Sequence, residues 1–295
     1  METIQTLGIG LAYVVLGVVV LIIAKIVKDF LTPYKIDEEL TTKDNPALGL
    51  AMSGYFAGVL IVFLGAVMGP NLEYESLGEL VISLGIDFLF ALGGIVALNI
   101  GRWVVDKFVL IQFSTTKEII QDRNAGTGAV ECGGFIATGL IVAGAIYGEG
   151  GERWWWTLLS VVVFFVLGQV VLVLFAKFYQ WITRYDIHAE IERGNVAAGV
   201  ALGSSMIAIG IIVLKGTAID FDTDSGSEWL DSFLWFAIYA VLGFVLLMIL
   251  RKVTDALFLP GTTIQHEIAT DRNLNAAWLE GVVAIGIATM VFVLL

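Results

Sequence analysis

Charge is what this sequence has least of. Only 15% of its 295 residues are Asp, Glu, Lys or Arg, against 58% hydrophobic, where a soluble domain carries about a quarter charged and about half apolar. That shortage excludes a water-soluble globule and points to a polytopic membrane protein. Cysteine is scarcer still. The single Cys132 excludes an internal disulfide and a cysteine-rich metal site, and its place among small residues reads as packing. The two histidines, His188 and His266, fall on separate connections and make a poor metal site. Also missing are a glycine-rich phosphate loop after a strand, a nucleophile elbow, an HExxH pair and a basic patch to suit nucleic acid. Neither an enzyme nor a cofactor is implied.

What is present is hydrophobic length. A span needs roughly 20 apolar residues, and eight stretches qualify, centred near Val15, Gly58, Gly93, Gly139, Leu167, Ile207, Val241 and Ile285. The first 24 residues hold no basic residue, and Lys25 and Lys28 follow the apolar run. The first span is therefore read as uncleaved. All the lysines and arginines except Arg153 and Lys215 fall after odd-numbered spans. By the positive-inside bias, those connections lie in the cytoplasm and both termini lie outside the cytoplasmic membrane. Trp154, Trp155 and Trp156 fit an interfacial aromatic belt at the outer end of span five. The net charge of -12 gathers in part at Glu73, Glu75, Asp220, Asp222, Asp224 and Glu228, in two outer loops. They read as solvated loops or as an acidic surface that concentrates cations.

Internal repetition decides the fold. The chain aligns on four asparagines, Asn45, Asn124, Asn195 and Asn273, each preceded by an acidic and then an aliphatic residue: Glu39-Leu40, Glu118-Ile119, Glu190-Ile191 and Glu267-Ile268. An even-numbered span follows each. Four residues after the asparagines stand Gly49, Gly128, Gly199 and Ala277; eight after, Ser53, Cys132, Gly203 and Gly281. Such small pairs let helices approach closely in lipid, so the even spans are expected at the centre of the bundle. Repeats two and four agree at a constant spacing of 149 residues, from Arg102 and Arg251 to Glu131 and Glu280. Repeats one and three agree more loosely, with a one-residue slip before Asn195. The expected architecture is all-α: eight transmembrane helices in two tandem four-helix modules, 1–150 and 151–295. Each module is two hairpins, and the modules are related by a pseudo-twofold axis along the membrane normal.

These features resemble the DUF350 family of bacterial and archaeal membrane proteins, also called YjfL-like or UPF0719, here in tandem. The resemblance rests on the four acidic-aliphatic pairs, the asparagines and the glycine-rich even spans, and it covers nearly the whole chain. It implies a membrane protein without an assigned function, similar to proteins encoded near phage-shock-type membrane-remodelling proteins.

The candidate site residues are few. Glu131 and Glu280 stand seven residues past their asparagines, about 10 Å of helix rise, inside the cytoplasmic leaflet and facing protein. An ionisable group there marks an ion site or a proton relay by default. The alternative is a carboxylate neutralised by an arginine. The triplets Asp122-Arg123-Asn124 and Asp271-Arg272-Asn273 read as helix caps, or as a unit whose arginine turns inward to the glutamate or binds an anionic headgroup. Arg102 with Asp106, and Arg251 with Asp255, have the spacing of interfacial i, i+4 ion pairs. Asp87, matched by Phe236, could line an outer vestibule or reach a polar partner. The function expected from these residues is transport, with a non-transporting role as the alternative. In the first, a channel or transporter carries a small cation or proton past Glu131 and Glu280, between the even helices. In the second, a non-transporting membrane-stress scaffold recruits a cytoplasmic membrane-remodelling partner through Glu39, Glu118, Glu190 and Glu267. A hydrated cavity reaching both intramembrane glutamates favours the first; glutamates sealed against arginines favour the second. The glycine-rich helices leave oligomerisation open.

Overall fold

A computed structural model describes residues 2–68, 74, 76–147, 154–218, 226–258 and 261–295. The acidic loop residues Glu73, Glu75, Asp220, Asp222 and Asp224, and the side chain of Glu228, lie outside the described residues. Among those residues every regular element is helical, as lipid requires of a chain that must satisfy its backbone within each span. Eight of the described helices are long and apolar enough to cross a membrane.

Odd spans are α1 (Glu2–Leu31), α4 (Leu77–Val104, continued by a π-helical turn at Val105–Val109), α7 (Trp154–Ile182) and α10 (Gly226–Phe258). Even spans are α3 (Pro46–Val67), α6 (Ala125–Tyr147), α9 (Val196–Thr217) and α12 (Leu274–Leu294). A one-and-a-half-turn helix precedes each even span: α2 (Ile36–Thr41), α5 (Thr115–Ile120), α8 (Ile187–Glu192) and α11 (Ile264–Ala269). These four short helices share one end of the bundle, the linker face. Trp155 and Trp156 stack at the opposite end, 4.0 Å apart.

The even spans start from the linker face, run parallel and form a row, α3 to α6 to α9 to α12, each packed on the next. The odd spans form a second row over it. α4 lies against α3 and α6, α7 against α6 and α9, and α10 against α9 and α12. α6 and α9, inside the row, are the most buried spans, while α3 and α12 at its ends are far less so.

Small residues set the spacing of the even row, and the same offsets meet at each junction. The ninth residue past one asparagine lies on the eighth past the next: Gly54 on Cys132, Gly133 on Gly203, Ser204 against Gly281. Likewise Gly128 lies on Ala47, and Gly199 on Gly126. A Cβ added at Gly133 or Gly199 would fall on neighbouring backbone. The hairpins are thus stacked by one repeated operation, and the junction between the modules is as close as those within them.

Candidate functional site

Each linker is built the same way. The asparagine caps its even span: Asn124 Oδ1 accepts from the amides of Gly126 and Thr127 at 3.0 and 3.3 Å, and Asn45 accepts from Ala47 and Leu48. Its amide nitrogen donates back to the acidic residue before it. Asn124 Nδ2 reaches Glu118 Oε2 at 2.7 Å, Asn273 reaches Glu267 at 2.7 Å, Asn195 reaches Glu190 at 3.0 Å and Asn45 reaches Glu39 at 3.3 Å. The residue before each asparagine, Asp44, Arg123, Gly194 or Arg272, takes a left-handed conformation, with φ of 47°, 51°, 75° and 50°. The third linker is one residue shorter and uses glycine at that turn, so the slip in the sequence preserves the clamp.

The same amide also ties the hairpins together. Asn45 Nδ2 donates to Ile119 O at 2.8 Å, Asn124 to Ile191 O at 2.6 Å, and Asn195 to Ile268 O at 2.8 Å. Three of the four caps therefore fasten their hairpin to the short helix of the next. The four acidic linker residues, expected to face a partner, are turned toward these amides instead, with Glu39 and Glu118 buried. The Lys43 ammonium at 2.6 Å holds the Glu39 carboxyl below the usual range, and the Asn273 amide does the same for Glu267.

Removing Asn124 tests this arrangement. Asn124→Ala loses a helix cap and strands the buried Glu118 carboxylate, at a combined cost of about 2–4 kcal/mol. Asn273→Ala removes a cap but no bond to another hairpin, so its cost should be smaller. Unfolding in mixed micelles measures both; equal losses would mean that the bond between hairpins contributes nothing.

Deeper in the bundle, Glu131 and Glu280 are buried, as their helical positions require. Each meets an arginine from an odd span rather than from its own triplet. Arg102 Nε lies 2.9 Å from Glu131 Oε1, and Arg251 Nε lies 3.5 Å from Glu280 Oε1. Arg123 and Arg272 do not turn inward. Their left-handed backbone sits at the exposed turn, and Arg272 reaches back to Glu190 and to the carbonyl of Arg193 in the preceding linker. Asp122 pairs with Lys117 at 3.2 Å, and Asp271 lies 3.6 Å from His266. The i, i+4 partners also take another role: Asp255 Oδ1 accepts from the Ile264 amide at 2.6 Å and starts α11.

The two pairs differ in surroundings. Beside Arg251 and Glu280, Tyr179 donates to Glu280 Oε1 at 3.3 Å, and its ring lies 5.1 Å from the guanidinium. The cavity there is about 10 Å³, at the lower limit for a single water. Arg102 instead borders an open groove of about 590 Å³ between α1 and α4, lined also by Asn99, Trp103 and Asp106. Lys28 comes down beside it, buried, 3.3 Å from Asn99 Oδ1 and over the rings of Tyr55 and Phe135. At the far side of the bundle Asp87 accepts from Tyr13 at 2.8 Å, and Tyr13 bonds Tyr74. It has reached a polar partner.

Against known families, the profile described as Domain of Unknown Function (DUF350) matches twice, at residues 2–146 and 153–295. The chain belongs to this family. It is similar to a UPF0719 transmembrane protein of Aquifex aeolicus (strain VF5), 23% identical over 248 residues, covering 84% of this chain and 85% of that one. No solved structure matches. In this tandem DUF350 protein, sequence reasoning missed Lys28 and Tyr179, which fill equivalent places in the two modules. The signal was available, since the two are separated by the same interval as Tyr34 and Tyr185.

Proposed function

We propose that this DUF350 protein is a non-transporting structural component of the cytoplasmic membrane, with its linker face in the cytoplasm. Its two Arg–Glu pairs lock the odd row of helices to the even row. The observation that carries this reading is the state of Glu280, buried against Arg251 with room for no more than one water beside it. The even helices, where a pathway past both glutamates would run, touch backbone to backbone. The concentration of basic residues at the linker face supports the orientation. Contact with a cytoplasmic partner falls to the exposed residues of this face, among them Asp122, Arg123, Asp271 and Arg272.

A second reading has one observation in its favour. Arg102 opens onto the groove between α1 and α4, so proton or small-cation exchange confined to Glu131 in the first module has a route to the bundle surface. Flux assays in liposomes separate the two. The structural reading expects proton and potassium flux no greater than in protein-free vesicles. A flux abolished by Glu131→Gln but kept by Glu280→Gln would establish the second reading, and one that needs both glutamates would restore a paired pathway.

A further inference from the structure

The even row is unfinished at both ends, and the two ends match. At the linker face, three of the four caps bond the next hairpin, while among the described residues the Asn273 amide donates to Glu267 alone. The carbonyls that receive those bonds belong to Ile119, Ile191 and Ile268, all buried. The residue in the same place of the first linker is Leu40, which is only partly buried and meets none of the cap asparagines. One end thus has a donor without its carbonyl, and the other has a carbonyl without its donor.

The helices repeat the pattern. α4, α7 and α10 each rest between two even spans, whereas α1 packs on α3 and reaches α6 through the Lys28 side chain over Phe135, with no even span on its other side. On α3, the positions that face the preceding helix in every later hairpin are Gly49, Ser53 and Leu60. A Cβ at Gly49 would meet nothing, and Ser53 and Leu60 are exposed. On α12, the positions that face the following helix in every earlier hairpin are Asn275, Val282 and Gly286. All three are exposed, and a Cβ at Gly286 would meet nothing. The sizes are complementary: the operation that sets Gly139 on Gly58 and Gly210 on Ala137 would set the bulky Leu60 on Gly286.

We propose that a second copy of this chain continues the row, α12 of one copy packing on α3 of the next. In this arrangement Asn273 donates to Leu40 O and α1 of the second copy settles between those two even helices. The contact is heterologous, so it propagates into a ring or a filament within the membrane rather than closing as a dimer. It holds whether or not the protein carries ions. Val282 and Leu60 are larger than the residues at the internal junctions, so the contact between copies is looser than those within a chain, and it is best read in native membranes.

Ser53 and Val282 occupy the offsets that touch at every internal junction, yet within one chain they lie at opposite ends of the row. With Cys132→Ala as background, Ser53→Cys combined with Val282→Cys, oxidised by copper phenanthroline in membranes, should give a ladder of covalent multimers. Either cysteine alone should give monomer, and the two single variants expressed together should give dimer and nothing larger. Gly286→Leu enters open space within the chain, so it should leave the thermal unfolding profile unchanged while abolishing the ladder. Monomer alone from the double-cysteine variant overturns the proposal. So do dimers from either single variant, an adduct to a different protein, or a ladder that survives Gly286→Leu.

Discussion

Glu280→Gln is expected to destabilise the protein by about 3–5 kcal/mol, the usual consequence of leaving one member of a buried ion pair without its partner. Arg251 is among the most enclosed charges in the described chain, with 8% of its surface exposed. Its carboxylate partner is Glu280 Oε1 at 3.5 Å, and the Tyr185 hydroxyl is the other polar group beside the guanidinium. Without that carboxylate the cation keeps the Tyr185 hydroxyl and the Tyr179 ring, neither of which carries a compensating charge, and a cation–π contact of a desolvated group returns about 2 kcal/mol. Replacing both residues should behave differently, because a buried pair exchanged for apolar side chains of similar volume is often neutral or stabilising. The chain already contains that solution: the positions of Glu131 and Glu280 are filled by Met52 and Leu202 in repeats one and three, both buried. Arg251→Met with Glu280→Leu should therefore recover most of the loss seen in Glu280→Gln. Chemical unfolding in mixed micelles measures both. A double variant no more stable than Glu280→Gln would show that the pair is held by more than its own charge balance.

The spans, their number and their pairing into hairpins were legible because each rests on about twenty residues of hydropathy or on a motif repeated four times. The caps were legible too, since the Asn side chain satisfies amides within its own helix, a local event. The other half of each asparagine was not. In three of the four the amide bonds a carbonyl 67 to 74 residues away, and nothing local in the sequence announces a tertiary contact. The linker glutamates were misjudged for the same reason: read as exposed charge on a loop, they are the acceptors that keep those amides in place. The arginines expose a rule applied outside its setting. Helical i, i+4 pairing of Arg102 with Asp106 describes exposed helices in water. Within a bundle, a guanidinium and a carboxylate that are both removed from solvent meet each other first, and the aspartate is free to start the next helix, as Asp255 does. The clue lay in a number. Arg102 precedes Glu131 by 29 residues, and Arg251 precedes Glu280 by the same interval.

The other large effect belongs to the junction between the modules. Gly133→Leu should cost about 3 kcal/mol or more, at the upper end of what overpacked cores show, because neither side of this contact can yield. A Cβ at Gly133 lands on the carbonyl of Gly203, and one at Gly203 lands on the carbonyl of Ala129. Backbone meets backbone, with no flexible side chain to move aside. In lipid the loss is not offset by apolar burial elsewhere, since van der Waals contact between helices is itself the main attraction. Pushing α6 from α9 also strains the bond from Asn124 to Ile191 O, which spans the same junction at the linker face. Gly49→Leu supplies the control. It makes the same change on a helix of the same row, at a position where a Cβ meets nothing within the chain, and should leave the unfolding profile of the detergent-solubilised monomer unchanged. Unfolding and monodispersity of the two variants, compared side by side, decide whether glycine is present in these helices for close approach or only for composition. Equal behaviour would mean that the even row can open without cost, and the repeated small-residue offsets would then no longer account for the fold.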